Sequence, residues 1–284
     1  VKNVARTEVV AGRRVRSVQQ VASTRVVAAT KDLVGQNLVD PVLTTAAAGY
    51  ANFASRPLFA STGPTPADVR QGQVGDCYYL AVLASIAQTN PAYLKQTIVD
   101  LGDGTYAVAF RKGANSVFIR VDADLPTTAG GSLAYAGFGA EGSIWVALLE
   151  KAWAAFRTNS ASYRSIDGGW MDESYKALGM GALSTLSGTG QTILNAMAAA
   201  LAAGKSVTYA VATPPAGSNL VSYHAYQVDR VNFGSDGKAV SLRLRNPWGV
   251  DAYTSTDGAN DGYVTITVEQ ATRAMLGYTI GTYV

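Results

Sequence analysis

The sequence predicts an α+β fold of two lobes, a helical lobe first and an antiparallel β lobe second. Three observations carry this. Apolar residues recur at helical spacing in the first part of the chain and at strand spacing in the last part. A glycine-rich zone, from Gly168-Gly169 through Gly179 to Gly190, lies between the two. The composition, 48% hydrophobic and 15% charged over 284 residues, is that of a chain with a sizeable core. Helices followed by strands, rather than alternating with them, read as α+β. The expected organisation is a basic arm at 1–60, a first subdomain at 61–188 and a second at 189–284.

The arm carries Lys2, Arg6, Arg13, Arg14, Arg16, Arg25 and Lys31 against Glu8 and Asp32, and reads as a linker, a docking segment or a propeptide. Pro57, Gly63, Pro64 and Pro66 break the chain before the body begins. From Cys77 onward, Tyr79, Leu80, Leu83, Ile86 and Ala87 make one apolar helical face, with Asp76 in the place of an N-cap. Asn90-Pro91 ends or restarts that helix. Residues 106–122 read as a hairpin turning at Lys112-Gly113. A second helix is expected over 142–157, with Ile144, Trp145, Leu148, Leu149 and Trp153 inward, and a third at about 190–203. Strands follow at 207–211, 225–233, 239–245 and 263–268, separated by Pro214-Pro215, a Gly234–Gly237 turn and an Asp/Asn/Gly-rich loop at 257–262.

Composition excludes several classes. The net charge of +3 is too small to point to nucleic acid. No uniformly apolar, uncharged stretch of membrane-spanning length occurs. One cysteine and one histidine cannot build a four-ligand Cys/His zinc site, and a lone cysteine makes no internal disulfide. Starting on Val1 without a compact apolar run, the chain reads as a fragment or a processed form. A compartment, cytoplasmic or secreted after processing, stays open.

What remains is nucleophilic chemistry. A thiol at a helix start meets unpaired N–H groups and the positive end of the macrodipole, both of which favour thiolate. Cys77 has that position, and His224, roughly 150 residues downstream, can take its proton. Asn246 closes the next strand, where its amide can hold the second imidazole nitrogen. The Cys77 N–H and the side-chain amide of Gln71 or Gln73 are candidate oxyanion donors. Plainer roles exist for each: a buried small hydrophobe, a satisfied polar residue, a turn asparagine. A Ser-His-Asp arrangement using the same His224 is formally open.

The segments around these residues narrow the choice. Gln71-Gly-Gln-Val-Gly-Asp-Cys77-Tyr-Tyr-Leu-Ala, Tyr223-His224-Ala225-Tyr226 and Leu242-Arg-Leu-Arg-Asn246-Pro-Trp248-Gly249 resemble, in order and spacing, the three catalytic motifs of the calpain family. Val121-Asp-Ala-Asp-Leu-Pro-Thr and Ala147-Leu-Leu-Glu-Lys-Ala-Trp are similar to two of its core segments. The resemblance implies a two-lobed papain-like cysteine endopeptidase that makes limited cuts in protein or peptide substrates. It implies Cys77 as nucleophile, His224 as base, Asn246 as its orienting partner, Gln71 as oxyanion donor and Trp248 as a cover over the His-Asn pair. Tyr78 and Tyr223 depart from the family's Trp and Gly. No cofactor is required. Calcium is left open: there is no EF-hand loop, Asp68 matches one ligand position in the family's first lobe, and Ala252 stands where a carboxylate is expected, with Asp251, Asp257 and Asp261 nearby. A silent peptide-binding module and a papain-fold acyl transferase are the rival readings; Asn rather than Asp at 246 speaks against the latter.

Overall fold

The computed structural model describes two short strands, β1 (Val9–Val10) and β2 (Arg13–Arg14), and residues 38–253 and 258–284. Backbone contacts gather the described chain into two compact units. The first holds the described residues before Pro64, Gly72–Val74 and Ala92–Asp167; the second holds Pro64–Gln71, Gly75–Pro91 and Gly168–Val284.

In the first unit, β3 (Gly49–Asn52) pairs antiparallel with β7 (Asp124–Thr127). A second sheet runs β4 (Ile98–Asp100), β5 (Thr105–Lys112), β6 (Asn115–Asp122). The expected hairpin is β5–β6, closed through Gly113 and Ala114 between the paired Lys112 and Asn115, one residue beyond the expected turn. The expected second helix is α3 (Trp145–Phe156), whose Trp145, Leu148, Leu149 and Trp153 are all buried. Phe110 of β5 stacks on Phe156 with ring centroids 4.5 Å apart. Lys151, also buried, is matched by Asp122 at 2.6 Å and Asp40 at 2.5 Å, and donates to the Asp124 carbonyl at 2.7 Å. A buried ammonium without such partners would be strongly unfavourable.

The expected boundary of an arm at residue 60 does not follow these contacts. Residues 38–60 are part of the first unit: the buried Leu38 donates its N–H to Asp122, Val42 bridges Ser162, and β3 completes the β7 pair. Most of residues 1–37, where the arm reading rests, lie outside the described residues.

The second unit holds α1 (Cys77–Thr89), α4 (Met171–Ala177), α5 (Gly190–Ala202), α6 (Val268–Ala274) and a six-stranded antiparallel sheet; α2 (Pro91–Thr97) starts at its border, where the Asn90-Pro91 signal restarts the helix. The sheet strands are β8 (Gly181–Thr185), β9 (Ser206–Val211), β10 (His224–Phe233), β11 (Ala239–Arg245), β12 (Tyr263–Thr267) and β13 (Met275–Thr282), in the order β12-β11-β10-β9-β13-β8. Four of these were expected. β8, β13 and α6 were not, because their glycine-spaced or short apolar runs carry no clear period. Tyr226, Val228, Tyr209, Leu242, Leu244 and Ile266 form a core with Leu194 and Met197 of α5 and Ala271 of α6. The alternate residues of β9 and β10 point the other way, as period two requires. There the sheet meets α1: Ser85 Oγ donates to the Val207 carbonyl at 3.0 Å and accepts the Val207 N–H at 2.8 Å, and Gln88 donates to the Asp229 carbonyl at 2.8 Å. Residues 78–87 of α1 are buried on every side, not on one face only. A helix apolar all round is a core helix. The subdomain border expected between the Cys77 helix and the His224 strand is therefore not where contacts divide the chain; α1 packs against β9 and β10 within one unit.

Candidate active site

Cys77 opens α1. Asp76 holds the N-cap position, and its carbonyl accepts the Tyr79 and Leu80 N–H groups at 2.8 and 3.1 Å, but its side chain makes no capping bond, contrary to the expected Asp cap. The Cys77 side chain is partly exposed. Burial pushes its thiol up to about 11, and the Asp76 carboxylate adds to the rise. The amides of Ala225, Tyr78 and Cys77 itself act in the opposite sense, the direction expected of a helix start, and are outweighed.

His224 is the first residue of β10 and is buried. Its Nε2 lies 2.9 Å from Asn246 Oδ1. That oxygen also accepts the Trp248 N–H at 3.0 Å. An oxygen between two donors identifies this end of the amide as carbonyl and places a proton on Nε2, so Nδ1 is the free base. Trp248 covers the pair, with its ring 5.1 Å from the imidazole, and Tyr226 meets it edge-on at 5.0 Å. Burial pushes the imidazole down to about 4, against the opposing pull of Asn246. Both shifts favour the neutral forms, the thiol and the unprotonated imidazole.

Asn246 is held by the turn that follows β11. Its N–H donates to the Gly262 carbonyl at 2.7 Å, and its carbonyl accepts the Gly249 N–H at 3.0 Å. Gly249 has φ +75°, which favours glycine, and a Cβ there would press on the Arg70 side chain at 3.2 Å. The same turn takes hold of Gln71, whose N–H donates to the Pro247 carbonyl at 2.7 Å. The buried Arg245 donates to the Val69 carbonyl at 3.1 Å, a second tie between the end of β11 and this segment. Gln73, the other candidate donor, bonds through its N–H to Ala134 within the first unit.

Cys77 and His224 both line a pocket of about 200 Å³. Tyr78 and Tyr223, the two departures noted in the sequence, line it as well. Trp170, Met171 and Leu276 also line it and were not singled out from the sequence. The available signal for Trp170 was a large aromatic directly after Gly168-Gly169.

The carboxylates considered for calcium are engaged with backbone amides. The buried Asp68 accepts the Thr65 N–H at 2.7 Å, Asp251 accepts Gly262 at 3.0 Å, and Asp261 accepts Tyr263 at 2.9 Å. Asp257 lies outside the described residues. Among the described residues, no group of three or more His, Cys, Asp or Glu side chains is gathered as a metal ion would need. No described helix is long and apolar enough to cross a membrane.

Comparison with known proteins shows the family. The family model described as calpain family cysteine protease matches residues 50–276. The chain is 33% identical over 219 residues to the calpain-2 catalytic subunit of Gallus gallus, covering 70% of this chain and 30% of that protein. It is 30% identical over 218 residues to the calpain-1 catalytic subunit of Rattus norvegicus, covering 69% and 29%. It is 27% identical over 208 residues to calpain clp-1 of Caenorhabditis elegans, covering 68% and 26%. The aligned region makes up less than a third of each of these relatives.

Proposed function

Since the chain belongs to the calpain family of cysteine proteases, we propose that it is a cysteine endopeptidase that cuts protein substrates at a limited number of sites, with Cys77, His224, Asn246 and Gln71 as its catalytic set. The observation that carries the reading is the bond from His224 Nε2 to Asn246 Oδ1 at 2.9 Å, made by an imidazole that lines one pocket with Cys77.

Cys77 Sγ bonds to the scissile carbonyl carbon while its proton passes to His224 Nδ1. Burial disfavours either charge alone, so thiolate and imidazolium arise together and stabilise each other. The carbonyl oxygen becomes an oxyanion, met by the Cys77 N–H and the Gln71 side-chain amide. One such donor contributes about 3–4 kcal/mol in the transition state. The C–N bond breaks, His224 gives its proton to the leaving amine, and a thioester remains. Water, deprotonated by His224, attacks the thioester; the acid leaves and Sγ recovers its proton. Asn246 holds the imidazole in the tautomer this requires, and Trp248 keeps water from their bond.

Hydrolysis of casein by the purified chain, set beside Cys77→Ser, tests the reading. Cleavage is expected only with the cysteine; equal activity of the two would overturn it. The raised thiol favours, as a second reading, a silent module that binds peptide without cutting it. A chain that cleaves nothing while binding peptide would establish that alternative.

A further inference from the structure

The pocket beside Cys77 has walls that the acyl-transfer chemistry leaves unused. Trp170 and Tyr223 line it and are 58% and 77% exposed. Aromatic rings of this size have the most to gain from burial, each offering 150–250 Å². Here they stand open around an apolar space that Met171, Val211 and Leu276 help to line.

Tyr223 is held there by its backbone. Its φ is +50°, a left-handed conformation in which the Cβ of an L-residue crowds the following carbonyl. Gly or Asn would meet this turn at lower cost. Three hydrogen bonds impose it: Tyr223 N–H to the Ala212 carbonyl at 3.2 Å, Ser222 Oγ to the same carbonyl at 2.8 Å, and Val221 N–H to the Tyr226 hydroxyl at 2.8 Å. A strained, exposed aromatic beside a nucleophile is the kind of outlier from which a role in binding is argued.

Size and polarity name the occupant. Apart from the reacting pair, no carboxylate, ammonium or guanidinium group lines the pocket. An engineered apolar cavity of about 150 Å³ accepts benzene; about 200 Å³ accommodates one ring-bearing side chain. Ring-on-ring contacts favour an aromatic guest over an aliphatic one of similar area.

We propose that Trp170 and Tyr223 are specificity-determining residues, and that this pocket selects an aromatic side chain of the substrate close to the scissile bond. The identification of the guest as part of a peptide rests on the peptidase reading above; the walls of the pocket do not.

The test is binding to Cys77→Ala protein, by equilibrium dialysis, of acetyl-Gly-Gly-Phe-Gly-Gly-amide and its Ala counterpart. The glycine background lets each peptide slide until its one side chain finds the pocket. The Phe peptide is expected to bind about tenfold more tightly, a ratio of the order that two aromatic contacts supply. Trp170→Ala and Tyr223→Asn, the latter compatible with positive φ, are each expected to bring the ratio below about threefold, and Tyr223→Phe to preserve it. Equal binding of the two peptides, or a ratio that survives in both ring-less variants, overturns the assignment. Casein hydrolysis by the unmodified protein reports on the peptidase reading separately: selective binding without cleavage would refute that reading and leave the pocket assignment standing.

Discussion

At the scale of single residues, the site depends on hydrogen bonds made by buried atoms. Asn246 Oδ1 is shared between His224 and Trp248 N–H, so removing it frees the imidazole to rotate. Asn246→Ala is expected to lower kcat about 10- to 100-fold with KM little changed, the range for losing a bond to a group that becomes charged; steady-state kinetics on one peptide checks it. Gln71→Ala is expected to cost on the order of 100-fold in kcat, the worth of one oxyanion donor, and an unchanged kcat would remove Gln71 from the hole. Tyr223→Gly should act in the opposite sense on stability. It relieves the positive φ at an exposed position and is expected to raise the unfolding free energy by about 1 kcal/mol in a urea titration. Of these residues, Cys77, His224, Asn246 and Gln71 were legible in the sequence because short motifs surround them. Trp170 was not, since a single aromatic after two glycines has no partner in sequence to give it meaning.

At the scale of elements, α1 carries Cys77 and the sheet carries His224, the proposed nucleophile and base, so their docking matters more than either alone. Ser85 is one of the polar contacts in this docking, bonded to both backbone groups of Val207 and to Ser206 Oγ at 2.7 Å. Ser85→Ala leaves those groups without it in a buried place and is expected to cost about 1–3 kcal/mol, measured by denaturant unfolding, with a larger proportional loss of activity as α1 shifts. The helix itself was legible from its period, but the burial of all its faces was not. Periodicity marks the most apolar stripe, while Tyr78, Ala81 and Ala84 lie off that stripe and are buried by whatever surrounds them. The segment at 38–60 shows the reverse. It reads as an arm because β3 has only four residues and its partner β7 lies far along the chain. Deletion of residues 1–60 removes β3, Leu38 and the Asp40 partner of Lys151, and is expected to lower the melting temperature by more than 5 °C. An unchanged melting temperature with higher activity would restore the propeptide role.

At the scale of the whole molecule, the buried histidine links the site to stability. His224 is driven from 6.5 to about 4 on folding, so below pH 6.5 the unfolded chain binds a proton that the native chain does not. Stability from this group is complete above pH 6.5 and is lost as pH falls toward 4, by about 3 kcal/mol in all. Urea midpoints for the protein and for His224→Gln should diverge in that window; parallel curves would mean that the imidazole is not desolvated. Cys77 works at the other end of the scale. Its raised thiol favours the native state until the unfolded thiol ionises, so its contribution fades as pH rises from 9 to about 11.

What the sequence by itself determined is the class and the candidate groups: one thiol, one imidazole, one asparagine after a strand, an α+β order of elements, and motifs that identify the family. These are local, since a motif, a helical period or a turn is complete within a dozen residues. What only the tertiary structure decided is how those parts meet. It sets α1 with the β lobe rather than apart from it, places β13 between β9 and β8, builds residues 38–60 into the first unit, and brings Trp170 and Tyr223 to the pocket that Cys77 lines. Each depends on groups brought together across long stretches of chain by burial and strand pairing. It also decided how far Cys77 and His224 are desolvated, since their burial draws on residues distant in the chain, as Trp248 lies against His224.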